Sequence, residues 1–326
     1  MSASTATSAP VAADTRREDP GYYRPWPYPG RPKLEWPGGA RIAVWVAPNI
    51  EFYELDPPRN AFRTAWPHPY PAVPGYSTRD YGNRVGHIRQ MELLDRFGIR
   101  GSISLSTALI DHHPEIVELC AARDWEFFSH GIYNTRYTYG LTEDQEREMI
   151  ADSMDTIERA VGYRPSGYLA PALSHSEHTL DLFAELGGTY TCDLFHDDQP
   201  TPITVRGGQR FVSIPYSLEL NDTIAYVVNK VEPRRYGQMI QDAFDVLYDE
   251  GAASGTVMCI PTHNYQVSHP HRLKAFEGAL EHIAGRSDVW FATGREIAQH
   301  YLDTSYDVAV AAIAAESAAA SGEGTR

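Results

Sequence analysis

Three polar residues suited to acid–base chemistry or ligation each follow an apolar, strand-like run: Glu51 after RIAVWVA, His130 after DWEFFS and His263 after GTVMCIPT. In a barrel of alternating strands and helices the C-terminal strand ends form the face where chemistry is done, so residues distant in sequence converge there. A carboxylate at such a mouth binds a metal or takes a proton from water when its surroundings bring its pKa toward the working pH. An imidazole protonates a departing nitrogen near neutrality. The segment SHGIYNTRY spaces His130 and Asn134 four residues apart, which in a short helical turn points both side chains the same way, as paired metal ligands do. Asn134 is a weak ligand, however, and its amide serves equally well to hydrogen-bond a substrate carbonyl or imide nitrogen. Taken singly, each residue has a plainer reading as a solvated glutamate or a satisfied structural histidine. Three separate strand ends carrying usable groups shift the balance toward a site.

Around His263 the stretch CIPTHNYQVSHPHRL adds Asn264, His269 and His271. Asp193, in CDLFHDD, is a lesser candidate to position His263 or hold a cation, although such a run more often caps a turn. His175 and His178 flank a helix start and read as cap and surface.

The elements that must position these groups alternate. Residues 41–47, 101–105, 125–129, 166–170, 189–193, 212–215, 256–260 and 289–292 read as strands. Helices are expected over 83–97, 114–123, 177–186, 234–249 and 271–283, and one more from the capping box Thr142/Gln145 to Ala160, stopped by Gly162. Strands separated by helices imply a parallel sheet with both faces covered, most economically closed as a barrel. A flat doubly wound sheet lacks its usual support, since no GxGxxG follows a strand. Residues 54–81 form a long Pro- and aromatic-rich loop, read as a lid or a subunit contact. The Ala-rich tail 308–326 reads as a frayed helix without chemistry.

Composition narrows the class. The 326 residues are 42% hydrophobic and carry a formal charge of −15, enough apolar content for one large α/β domain and the wrong sign for phosphate backbones or anionic lipid. The Ala/Ser/Thr-rich start lacks the pattern of a secretory signal, so a cytoplasmic location is expected. Cys120, Cys192 and Cys259 have no CxxC spacing and read as buried free thiols. Without GxSxG, P-loop or HExxH, what is left is addition of water to a polarised carbonyl and protonation of nitrogen: hydrolysis of an amide-like bond.

The fragments WPGGARIAVWVAPNIEFYE, DYGNRVGHIRQMELLDRFGI, FFSHGIYNTRY, GYRPSGYLAP, and HPHRL followed by VWFATGREIAQH, spread from about Trp36 to Tyr301, resemble as a set the polysaccharide deacetylase superfamily, and within it the allantoinase-like, cyclic-imide-hydrolysing branch. The resemblance implies a distorted (β/α) barrel with fewer than eight regular units. It would occupy residues 36–303, between an extension (1–35) and the tail (304–326), and hydrolyse a carbon–nitrogen bond outside peptides. Where the family's first motif supplies an Asp base and an Asp ligand, this chain has Asn49 and Glu51. Where two His ligands are separated by three residues it has His130 and Asn134, and Ala170 stands in place of an Arg. His263 matches the late catalytic His.

These departures should weaken zinc binding severely and favour the allantoinase-like branch. The expectation is a homo-oligomeric hydrolase that opens a small cyclic amide, imide or ureide. Glu51, His263 and His130 would be catalytic, and Asn49, Asn134, Arg84, Tyr81 and Asn264 would bind substrate. No cofactor is expected, or else a weakly held divalent metal, zinc if any, on Glu51, His130 and Asn134. The rivals are a metal-dependent N-deacetylase of a sugar or amine and an inactive ligand-binding barrel.

Overall fold

Nine consecutive buried residues, IAVWVAPNI, form β1 (Ile42–Ile50) in the computed structural model, which describes residues 21–57 and 71–323. A strand covered on both faces needs apolar residues at both parities. Ile42, Val44 and Val46 point into a core shared with the helices. Ala43, Trp45 and Ala47 point the other way, into a core with Phe128, Tyr190, Ile214 and Tyr216. That second core fills the barrel.

The chain continues through α1 (Val73–Tyr81), a π-helical turn (Gly82–Gly86), α2 (His87–Arg96), β2 (Ser102–Leu105), α3 (Ala108–His112), α4 (Pro114–Ala121), β3 (Glu126–Ser129) and α5 (Glu143–Val161). It goes on with β4 (Gly167–Tyr168), α6 (Thr179–Glu185), β5 (Tyr190–Thr191), β6 (Thr201–Pro202), β7 (Val212–Ser213) and a second π-helical turn (Ile224–Val228). Then follow α7 (Pro233–Ser254), β8 (Thr256–His263), α8 (Pro270–Ala284), β9 (Val289–Phe291), α9 (Gly294–Thr304) and α10 (Tyr306–Glu323).

The sheet runs β6-β7-β5-β4-β3-β2-β1-β8, with β9 on the first residues of β1 and β2 on its last. Among the described residues only β6 is antiparallel to its neighbour. The ends of this curled sheet meet through a loop, where the Val257 N–H donates to the Asp198 carbonyl at 2.9 Å. The fold is thus the distorted, incompletely closed barrel expected from the resemblance. In the β1–β8 register Ile42 pairs with Thr256 and Asn49 with His263, which brings the two longest strands to the same rim.

The capping box at Thr142 forms both its bonds, and Gly162 ends α5 at φ 81°. Helical structure before α2 starts earlier than position 83: Pro74 opens α1 in its first turn, so the end of the stretch read as loop is helical. Residues 58–70 of that stretch lie outside the described residues. Sequence reading also missed α3, α9, β6 and the turn at 224–228, and β4, β5 and β7 shrink to two paired residues each. Cys120, Cys192 and Cys259 are buried and form no disulfide. Among the described residues no helix is long and apolar enough to cross a membrane.

Candidate active site

Strand alternation carries the interior series of β1, Ala43-Trp45-Ala47, on to Asn49 and Glu51, just beyond the strand. Phe128 of β3 faces the same interior, so His130 does too, and Val257 and Cys259 of β8 set the same parity for His263. Glu51, His130 and His263 accordingly line one cavity of about 500 Å³, together with Asn49 and Asn134. Glu51 Oε1 lies 3.5 Å from His130 Nε2 and 3.6 Å from His263 Nε2, and the Tyr265 hydroxyl donates to Glu51 Oε2 at 2.7 Å.

Each imidazole is oriented from behind. His130 Nδ1 lies 2.9 Å from the Leu169 carbonyl oxygen, which can only accept, so Nδ1 carries a proton and Nε2 faces Glu51. His263 Nδ1 lies 2.6 Å from Asp222 Oδ1 and 3.1 Å from the Thr223 hydroxyl. Burial pulls the His263 pKa down, but the Asp222 carboxylate and then Glu51 outweigh it and push it up to about 9. Burial likewise raises Glu51, yet the charge of His263 and the bonds from both imidazoles more than offset it and hold the carboxyl well below its usual range. The resting site is an ionised Glu51 facing a protonated His263.

Asp222 does what the sequence had offered Asp193. Asp193 instead accepts the Ala170 N–H at 2.9 Å and the Thr191 hydroxyl at 3.1 Å, tying β4 to β5. Asp222 lies in LELNDTIAY, at the entrance to the second π-helical turn; no motif or periodicity marks it.

Other sequence-derived choices are corrected. SHGIYNTRY is a loop turned by Gly131 at φ 69°, so His130 and Asn134 reach the cavity without sharing a helical turn. Arg84 is exposed on the first π-helical turn and does not line the cavity. Tyr81 stacks on His269 with centroids 4.4 Å apart and accepts from Arg89, away from the cavity. Asn264 follows His263 and therefore faces the opposite way. It donates to Asn83 Oδ1 at 3.0 Å, and Asn83 donates to the Glu51 carbonyl at 3.1 Å, so Asn264 acts as a brace behind the site. The structure adds Arg79, Tyr53, Tyr216 and Tyr265 to the cavity wall.

The donor set does not fit the zinc centre that the superfamily resemblance implies. Asn134, at the place of the second imidazole, accepts the Ala172 N–H at 2.7 Å through Oδ1 and donates to the Tyr53 hydroxyl at 2.9 Å through Nδ2. Both ends of that amide are spent. The Asn49 NH2 donates to the carbonyls of Ala47 and Thr262 and to the Tyr216 hydroxyl, and an amide cannot take a proton from water. Among the described residues no three His, Cys, Asp or Glu side chains are grouped to hold an ion.

Comparison with known proteins agrees with this fold. Residues 74–191 match the polysaccharide deacetylase family. A putative polysaccharide deacetylase of Schizosaccharomyces pombe is 26% identical over 292 residues, covering 81% of this chain and 91% of that one. A peptidoglycan deacetylase of Helicobacter pylori is 26% identical over 254 residues, covering 68% and 85%. The crystal structure of PuuE allantoinase superposes with a TM-score of 0.77 at 28% identity, covering 85% of this chain and 95% of that one. The chain is similar in sequence and fold to the polysaccharide deacetylase superfamily. It is a hydrolase of carbon–nitrogen bonds other than peptide bonds.

Proposed function

We propose that the chain opens a small cyclic amide, imide or ureide without a resident metal. The observation that carries this reading is Glu51 held between His130 and a protonated, Asp222-backed His263, with committed carboxamides at Asn49 and Asn134 where a zinc-dependent site needs a base and a ligand. A walled cavity of about 500 Å³ also suits a small ring.

In the reaction, Glu51 and His130 Nε2 orient water toward the ring carbonyl. As the C–O bond forms, Glu51 takes the water proton. Its depressed pKa makes it a weak base at rest, but part of that depression comes from the His263 charge, which disappears as His263 gives its Nε2 proton to the departing ring nitrogen. The C–N bond breaks, the N–H bond forms, and the proton on Glu51 returns to His263 across the 3.6 Å between them. The balance is one water consumed and one carboxylic acid and one amine-, amide- or urea-type N–H formed, the acid then ionising by giving its proton to solvent.

A second reading has direct support: the matched family and both curated relatives carry deacetylase names, so by relatedness removal of an N-acetyl group is the better-backed specific activity. The two readings share the same bond class and part on substrate and metal. Hydantoin, dihydropyrimidine, succinimide, allantoin and N-acetylated sugars, assayed with and without added divalent metal, decide between them. Ring opening unaffected by chelator supports the first; acetate release that is lost on chelation replaces it with the second. A homo-oligomer belongs to the proposal as well, and light scattering tests it.

A further inference from the structure

Arg79, on α1, is a cavity cation that the reaction above does not use. Its guanidinium lies over the Tyr53 ring at 3.9 Å and over the Tyr265 ring at 4.7 Å. Its Nε is buried without a hydrogen-bond partner; among the described residues the guanidinium otherwise meets the Gly75 carbonyl of its own helix, 3.4 Å from Nη1, and the Tyr53 hydroxyl. The cavity's carboxylates are engaged elsewhere. Glu51 faces the two imidazoles and Tyr265, and Glu54 binds Arg136 and Thr135, each at 2.8 Å. Residues 58–70 contain no Asp or Glu. Burial disfavours this cation and the neighbouring Tyr53, Tyr265 and Glu51 more than offset that, yet among the described residues no carboxylate forms an ion pair with it. The planar fork of a guanidinium, clamped between aromatic faces, matches a carboxylate with two parallel hydrogen bonds.

We infer that Arg79 anchors a carboxylate carried by the substrate. The ring opened here then bears a negative charge away from its scissile bond, and this rests on the ring-opening reading above. Tyr265 sets the separation, since its hydroxyl touches Glu51 while its ring face meets Arg79.

Two matched rings test this on the full chain: hydantoin-5-acetate, which is anionic, and hydantoin, which is neutral. The wild type should favour the anionic ring by about tenfold or more in kcat/KM, mostly through KM. Arg79→Gln should abolish the preference and Arg79→Lys should keep part of it. A wild-type ratio near one overturns the inference. So does an Arg79→Gln protein that slows both rings equally, the result expected if Arg79 merely braces Tyr265 or meets only the carboxylate formed by hydrolysis.

Calorimetry with succinate needs no turnover and separates the two proposals. Succinate binding that is lost in Arg79→Gln, in a protein that opens no ring, keeps the anchor and removes the ring-opening reading. Ring opening by a wild type that neither binds succinate nor prefers the anionic ring does the reverse. Should Arg79→Gln fail to fold, the wild-type ratio and the Lys variant decide.

Discussion

Asp222 holds His263 at two points: Oδ1 lies 2.6 Å from the imidazole Nδ1, and Oδ2 accepts the His263 backbone N–H at 2.8 Å. The same Oδ2 accepts the Val267 N–H at 3.1 Å, so this carboxylate fixes the loop after β8 as well as the ring.

The pairing sets an alkaline limit. With its pKa pushed up to about 9, His263 is a proton donor through neutral pH and loses that role as pH rises through about 9. The expected profile of kcat/KM is flat near neutrality and falls above about 9. Asp222→Asn removes the favourable charge and should move that limb toward acid by on the order of 1–3 pH units. An unmoved limb would show that another group sets it. Linkage has the same sign: the pair's stabilisation is complete below the ordinary His value of 6.5 and is lost as pH rises through about 9, which denaturant melts across that window will read.

Loss of the donor itself is more drastic. His263→Ala should abolish turnover, and Glu51→Gln should lower kcat by about 10²–10⁴-fold, while circular dichroism stays native. Near wild-type rates in either variant would refute the assigned roles.

Tyr265→Phe removes the hydroxyl that fixes Glu51 at 2.7 Å. A hydrogen bond to a charged group contributes about 1.5–3 kcal/mol, so the expected loss in kcat is roughly 10–100-fold. A change confined to KM would place Tyr265 on the substrate rather than behind Glu51.

Metal analysis checks the reading of Asn134. Because both ends of its amide are committed, the protein purified without chelator should carry less than stoichiometric zinc, and dialysis against chelator should leave kcat unchanged. Stoichiometric zinc with activity lost on chelation would restore the metal-dependent mechanism.

How much of this was legible in the sequence follows from what each residue depends on. Period-two alternation along the two long strands suffices to put Glu51 and His263 on the interior side, and the short run before His130 does the same. Proximity to a motif does not fix direction, which is why Asn264, next to His263, turned out to face away from the cavity. Arg79 was hidden because α1 contributes no buried residue and so has no amphipathic stripe to read; Val73-Pro74 alone marks its start. Asp222 depends on the path of a π-helical turn, and nothing local in LELNDTIAY encodes that.

The close fit of Gly82 and Gly86 against Asn264 gives one more prediction. A Cβ at Gly86 would overlap the Asn264 carbonyl oxygen, and one at Gly82 would come within 2.5 Å of Asn264 Oδ1. Gly86→Ala should therefore cost about 3 kcal/mol, visible as a lowered midpoint in denaturant. A neutral result would mean the turn can shift without penalty.

That contact also joins two parts of the site through main chain. The residue after His263 is seated directly on the turn that extends the helix bearing Arg79, so the distance from positive charge to proton donor is a property of the scaffold. The span of molecule accommodated between those two points should therefore stay constant across substitutions that leave that turn intact.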